Sequence, residues 1–261
     1  MRKILLITFM FLLAVPVLHF AQRFSGARIP DLEEGKDEPF PDFVFARLVY
    51  RGRFGDFDFR GSSWATDFPA ADRKFMWGVQ RLTNIRIQME EHPVEIMDPT
   101  LFDYPFVYVV EPGRGMQLSD AEAKRLREYV DRGGFIVFDD FWGTYEWRNF
   151  AQQVRKIFPD RDVEEIPKDH EIWHCFYDID AFMQVPNVGN GIRGGPTYEQ
   201  DGYVPYLLGI FDEKRRLNVV ISFNSDLGDA WEWMDHPDYP EKYSGYAYRI
   251  GINFIIYAMT H

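Results

Sequence analysis

Apolar positions along the chain change period several times, and each change marks an element. "FVFARLVY" (43–50) alternates and predicts a strand, while "PAADRKFMWGVQRLT" (69–83) carries the helical period and opens at Asp67 and Pro69. "PFVYVV" (105–110) and "FIVFDD" (135–140) are short continuous apolar runs, the pattern of strands buried on both faces of a parallel sheet. Between them lies a fully signalled helix. Ser119 and Glu122 form a capping box, Leu118 and Ala123 make a staple, and Gly133-Gly134 ends it.

The helix predicted at 146–158 places Trp147, Phe150, Ala151, Val154, Ile157 and Phe158 on one stripe. "YVPYLLGIF" and "RLNVVISFN" read as paired strands joined by the turn Asp212–Lys214. A last helix carries Ala247, Ile250, Gly251, Phe254, Ile255 and Ala258. Strand alternating with helix implies right-handed crossovers, hence an α/β fold: a single domain with a mainly parallel sheet flanked by helices, spanning 43–261. No internal repeat breaks this plan.

The pattern before residue 43 is different in kind. Arg2 and Lys3 precede an apolar run from Ile4 to Leu18, the layout of a secretory signal. The run is short of the roughly 20 residues that a membrane span needs. Ala21 offers a cleavage end, but His19 is not the small residue expected before it, and Ser25-Gly-Ala27 lies far from the run. Residues 1–22 are therefore a signal peptide or a membrane anchor, with 4–18 as the tether, and 23–42 a polar linker. Either alternative predicts an exported protein, periplasmic or held in the inner membrane of a bacterium facing the periplasm.

Charge narrows the partners. The 41 acidic residues against 29 basic ones give a net charge of −12, which repels phosphate backbones and argues against nucleic acid. A single cysteine, Cys175, allows no intrachain disulfide and no thiolate-rich zinc cage. Hydrophobic residues make up 46% and aromatic ones 17%, enough for one sizeable core.

"VYVVEPGRGMQLSDAEAKRLREYVDRGGFIVFDDF" resembles the class I glutamine-amidotransferase-like segment in which strand, helix, Gly-Gly and strand lead to a nucleophile turn. Through "LSDAEAKRLREYVDRGGFIVFDDF", "HEIWHCFYDI", "NSDLGDAWEW" and "AYRIGINFIIYAMT", residues 43–261 resemble a bacterial domain-of-unknown-function family (DUF 4159). That resemblance implies a flavodoxin-like or amidotransferase-like fold and no reaction. Amidotransferases place a cysteine in G-x-C-x-G. Here the turn reads "DDFWG" (139–143), and with Gly143 as its last glycine Phe141 occupies the nucleophile position. Cys175 falls instead in an aromatic stretch that reads as a strand, where a small buried residue is the expected role.

"HEIWH" (170–174) matches the zinc-protease signature, which needs a helix to bring both histidines to one face. Pro167 and the β-favouring Ile172, Trp173, Phe176, Tyr177 and Ile179 predict an extended segment instead, with Glu171 facing away from the histidines. No metal or other cofactor is expected, and no catalytic residue is assigned.

Ligands of open α/β sheets sit beyond the carboxyl ends of the strands. The candidate ligand-binding residues there are Asp139, Asp140, Trp142, His174, Asp226 and Asp229, with Trp231 and Glu232 nearby. Taken singly, the aspartates read as caps and turns and the tryptophans as core. The loop 52–69 reads as functional or as a lid, and the Gly-rich stretch 186–205 as a mobile surface loop. The function expected is that of a noncatalytic exported domain binding a small ligand or a protein partner. The alternative is an extracytoplasmic hydrolase of carbohydrate or peptide, with or without a metal, using these Asp and His groups.

Overall fold

The computed structural model describes residues 41–52 and 63–261. The expected signal or anchor, nearly all of the linker and most of the 52–69 loop lie outside the described residues. Residues 41–261 pack as one unit.

Seven strands form one sheet: β1 (Ala46–Val49), β2 (His92–Glu95), β3 (Phe106–Val110), β4 (Phe135–Phe141), β5 (Glu164–Glu165), β6 (Tyr206–Phe211) and β7 (Leu217–Phe223). Their order is β2-β1-β3-β4-β7-β6-β5. The first five in that order run parallel, and β6 and β5 are antiparallel additions at one edge. The chain moves from β1 outward to β2 and then back to β3 on the other side of β1, so the strand order reverses between β1 and β3.

Helices α1 (Ala70–Leu82), α2 (Pro112–Gly115), α3 (Asp120–Asp131), α4 (Gly143–Ile157), α5 (Val188–Arg193), α6 (Leu227–Glu232) and α7 (Glu241–Thr260) complete the unit. The two faces of the sheet are covered by different helices. Phe45, Phe106, Tyr108 and Val137 pack against Phe75 of α1, Trp231 of α6 and Ile250 of α7. Val107, Val109, Ile136 and Phe138 pack against Leu126 of α3 and Phe150 and Val154 of α4. Alternate residues of β3 thus enter opposite cores, which explains why the strand reads as an unbroken apolar run.

Several expectations need correction. The first strand shrinks to Ala46–Val49, and β2 was not foreseen because Pro93 interrupts its pattern; proline is tolerated there since β2 is an edge strand. Helix α4 begins at Gly143 rather than 146. The Gly-rich stretch contains α5, which Asn187 caps by accepting from the Asn190 amide, so it is folded structure rather than a bare surface loop. Among the described residues, no helix is long and apolar enough to cross a membrane.

The HEIWH segment is neither an α-helix nor a strand. Glu171–Trp173 form one 3-10 turn, with the His170 ring accepting from the Ile172 amide. His170 packs on Phe211 and Tyr257, Glu171 pairs with His261, and His174 takes Asp178 and the Lys168 carbonyl. Pro167 and the short turn prevent the four-residue helical repeat that would bring the two imidazoles together. Cys175 is likewise not on a strand; its thiol lies 3.3 Å from the Asn253 carbonyl of α7.

Candidate functional site

The carboxyl ends of β3, β4 and β7 open onto a cavity of about 200 Å³. Thr66, Asp67, Glu111, Arg114, Asp140, Trp142, Glu146, Asn187, Glu199, Gln200, Asp226 and Asp229 line it. Among the described residues, seven of these twelve side chains are carboxylic acids and one is cationic, which makes the lining strongly acidic.

Backbone geometry explains how so many acids reach one place. Asp67 (φ 61°), Glu111 (φ 48°) and Asp140 (φ 55°) all adopt the left-handed conformation, as does Asn224 (φ 60°) at the end of β7. Non-glycine residues rarely do so, although Asp and Asn do it more readily than others. At each position the chain leaves its element sharply and points a polar side chain across the strand ends. At Asp140 the turn coincides with a register shift between β4 and β7 over Phe138–Phe141. In the turn 139–143, Phe141 stands where the resemblance to amidotransferases puts the nucleophile. The left-handed residue is Asp140, and Phe141 is fully buried.

Fixed donors hold the ring in place. Asp140 Oδ1 accepts from the Trp142 indole at 2.8 Å, and Asp226 Oδ1 accepts from the Asp229 amide at 2.8 Å, capping α6. Asp229 Oδ2 accepts from the Val188 amide at 2.6 Å, and Glu146 accepts from the Trp142 amide and from Gln200. Each of these three aspartates thus accepts a hydrogen bond with one oxygen, and only Asp226 does so as a helix cap.

Burial raises the acids' proton affinity. Asp67, Asp140, Asp226 and Asp229 are all pushed above the usual carboxylate range, first by burial and then by the charges of neighbouring acids. Glu146 and Glu232 are raised by burial as well.

Of the six residues expected from sequence, the structure brings Asp140, Trp142, Asp226 and Asp229 into the cavity. Asp139 stands behind it. Its Oδ2 accepts from the Tyr108 hydroxyl and from the Leu227 amide at 3.0 Å, so it anchors the first turn of α6 to β4. Burial pushes its carboxyl up to about 6. His174 is not part of the site. Tyr257 and His170, which flank its turn, pack at the first residues of β4 and β7 and the last of β6, which is the amino end of the parallel strands, opposite the cavity. His174 is also exposed, and its hydrogen bonds to Asp178 and Lys168 raise its proton affinity.

Asp67, Glu111, Glu146, Glu199 and Gln200 escaped the sequence reading. Asp67 passes for the residue that opens α1, yet α1 has no side-chain cap. Glu111 had a usable signal, a charge ending an apolar run and followed by Pro-Gly.

A second, larger hollow of about 460 Å³ is lined by Gly143, Trp147, Tyr203, Tyr206, Phe223 and Asn224 among others. It is apolar and open. Charge rather than volume singles out the smaller cavity.

Two groups of acids have the spacing of cation ligands. Oxygens of Asp67, Asp140 and Asp226 lie within 4.8 Å of one another, as do oxygens of Asp67, Asp229 and Glu232. Hard divalent cations take such all-oxygen sets.

No curated protein matches the chain. The family model described as "Domain of unknown function (DUF4159)" matches residues 44–259, from before β1 to the last turn of α7, and the chain belongs to that family.

Proposed function

We propose that this domain is a noncatalytic binding module that takes a hard divalent cation, or the cationic part of a small ligand, in the acidic cavity at the strand ends. The observation that carries the reading is the convergence of seven acids against one arginine on about 200 Å³. Holding that many carboxylates together without a counter-charge costs stability, and a bound cation offsets the cost.

The finer fold reading is part of the same proposal. The order β2-β1-β3-β4-β7, with its reversal between β1 and β3, supports a flavodoxin-like or class I glutamine-amidotransferase-like arrangement, in which ligands sit beyond the strand ends. The amidotransferase reaction finds no support in the residues. Burial pushes the Cys175 thiol up to about 11, and its contact with α7 keeps it away from the cavity. The basic start and the apolar run at 4–18 support export or membrane tethering.

Thermal melts test the reading. Calcium, magnesium and manganese at millimolar concentration should each raise the melting temperature in a saturable way, while choline at the same ionic strength should not. At a hundred times its dissociation constant, a cation adds about 2.7 kcal/mol. No response to any divalent cation or to spermidine would sink the reading.

The paired ligand groups favour a second reading, a metal-assisted hydrolase of the kind expected as the alternative, now without His174. Turnover of a chromogenic ester, glycoside or peptide that requires Mn²⁺ and is lost in Asp226→Asn would establish it.

A further inference from the structure

We propose that the acidic cavity holds two divalent cations bridged by the carboxylate of Asp67; this inference rests on the cation site proposed above and adds its stoichiometry and ligand set. Asp67, Asp140 and Asp226 form one three-oxygen group within 4.8 Å, and Asp67, Asp229 and Glu232 form the other. Oxygens bound to one divalent ion lie about 2.0–2.6 Å from it, so ligands on opposite sides stand at most about 5 Å apart. Each group is thus the size of one coordination sphere. Asp67 alone belongs to both. A carboxylate has two oxygens, one for each ion of a pair about 3.5–4 Å apart.

A second observation is independent of the number of acids. Asp67 Oδ2 is buried and accepts no hydrogen bond. It lies beside Gly228 with no donor, on a carboxylate that stands within 4.8 Å of its fellow acids, an unfavourable place unless a cation fills the role. Among the described residues, no neighbouring cation donates to it, and each has a carboxylate partner of its own. Arg47 is paired with Asp72, Lys74 with Asp235 and Arg114 with Glu111.

Charge counting favours two ions over one. The five acids of the two groups carry five negative charges when ionised; one dication leaves three and two dications leave one. The hydrogen bonds already described also divide the work. Oδ1 of Asp140, Oδ1 of Asp226 and Oδ2 of Asp229 each accept from a fixed donor, which holds each carboxylate in place and leaves its other oxygen as a candidate ligand atom. The backbone of Asp67 is left-handed, a conformation that asparagine accepts, so the central ligand can be changed without straining the chain.

Manganese is the probe, because two bridged Mn²⁺ ions couple magnetically and a single one does not. The full-length protein, stripped with chelator, is titrated with Mn²⁺ while bound ion is followed by calorimetry and by electron paramagnetic resonance. Two equivalents are expected, with a coupled spectrum after the second. Asp67→Asn should weaken both by about tenfold or more, Asp226→Asn the first and Glu232→Gln the second. Circular dichroism and the melting curve show that each variant is folded. One equivalent with an uncoupled spectrum, unchanged in Glu232→Gln, would overturn the bridge while leaving the cation site standing. No Mn²⁺ binding would remove both.

Discussion

Oδ2 of Asp67 lies so close to Gly228, the second residue of α6, that a Cβ at position 228 would overlap it. The loop before α1 and the helix after β7 come from distant parts of the chain, and the missing side chain of Gly228 is what lets them meet. Gly228→Ala should therefore push the Asp67 carboxylate out of its position. Alanine improves helix propensity by up to about 1 kcal/mol, so the fold should survive. Mn²⁺ affinity is expected to fall by about tenfold or more with the melting temperature nearly unchanged. Undiminished affinity, measured by calorimetry, would mean that Asp67 is not a ligand.

Arg47 and Asp72 supply a different kind of test. Both are completely buried, and the guanidinium also donates to the Thr66 carbonyl and stacks 4.8 Å from the Tyr108 ring centre. This pair ties β1 to α1 directly behind the cavity. Asp72→Asn leaves a buried charge without its counter-charge, and chemical denaturation should show a loss of about 3–5 kcal/mol. Replacing both partners with Met and Leu should recover much of that. A loss below about 1 kcal/mol in Asp72→Asn would show that water reaches the pair.

How much of this was legible beforehand depends on the reach of the signal. The capping box of α3, the buried strands β3 and β4 and the β6–β7 hairpin are local patterns, and all are present. Asp140, Trp142, Asp226 and Asp229 were found because strand ends can be read from apolar runs. Arg47 reads as the polar partner in an alternating strand, and only the Asp72 carboxylate across the β1–α1 packing makes its burial tolerable. Asp67 was hidden in the same way, since its left-handed backbone and its contact with Gly228 are set by packing between distant segments. His174 reads as a strand-end residue only if residues 170–174 are extended, and they form a 3-10 turn instead. Nothing local said that this segment would pack against the C-terminal end of α7.

Cys175 has a clear pH signature. Burial raises its thiol to about 11, so little thiolate exists near neutrality. Iodoacetamide should label the native protein slowly at pH 8 and faster as pH rises toward 11, and denaturant should restore the ordinary rate at pH 8. Rapid native labelling at pH 8, followed by mass spectrometry, would contradict the packing against Asn253.

The last expectation concerns the cost of the empty acidic cavity. Asp140 and Asp226 each use Oδ1 as an acceptor, from the Trp142 indole and the Asp229 amide, and an asparagine carbonyl accepts as well. Asp140→Asn and Asp226→Asn therefore keep the hydrogen bond and remove a charge from a crowd of like charges. In chelator at low salt both should melt higher than the parent, by roughly 2–4 °C for each 1 kcal/mol gained in a domain of this size, and salt should shrink the gain. Millimolar Mn²⁺ should reverse the order, because the parent gains the ion and the variants lose a ligand. The pH dependence follows the same sign. Asp67, Asp140, Asp226 and Asp229 have folded-state proton affinities above their unfolded ones, so their contribution is most favourable at low pH and is lost as pH rises through the raised values. The chelated parent should thus gain stability on going from pH 8 to pH 5.5, and each variant should gain less. Below about pH 4 the trend turns over, since Asp42, held near 2 by Arg86, and Asp160 and Glu164, held down by Arg127 and Arg215, lose their ion pairs on protonation. A parent that is most stable at pH 8 in chelator, with both variants less stable than it, would mean that local donors fully satisfy these carboxylates and that the cavity needs no cation.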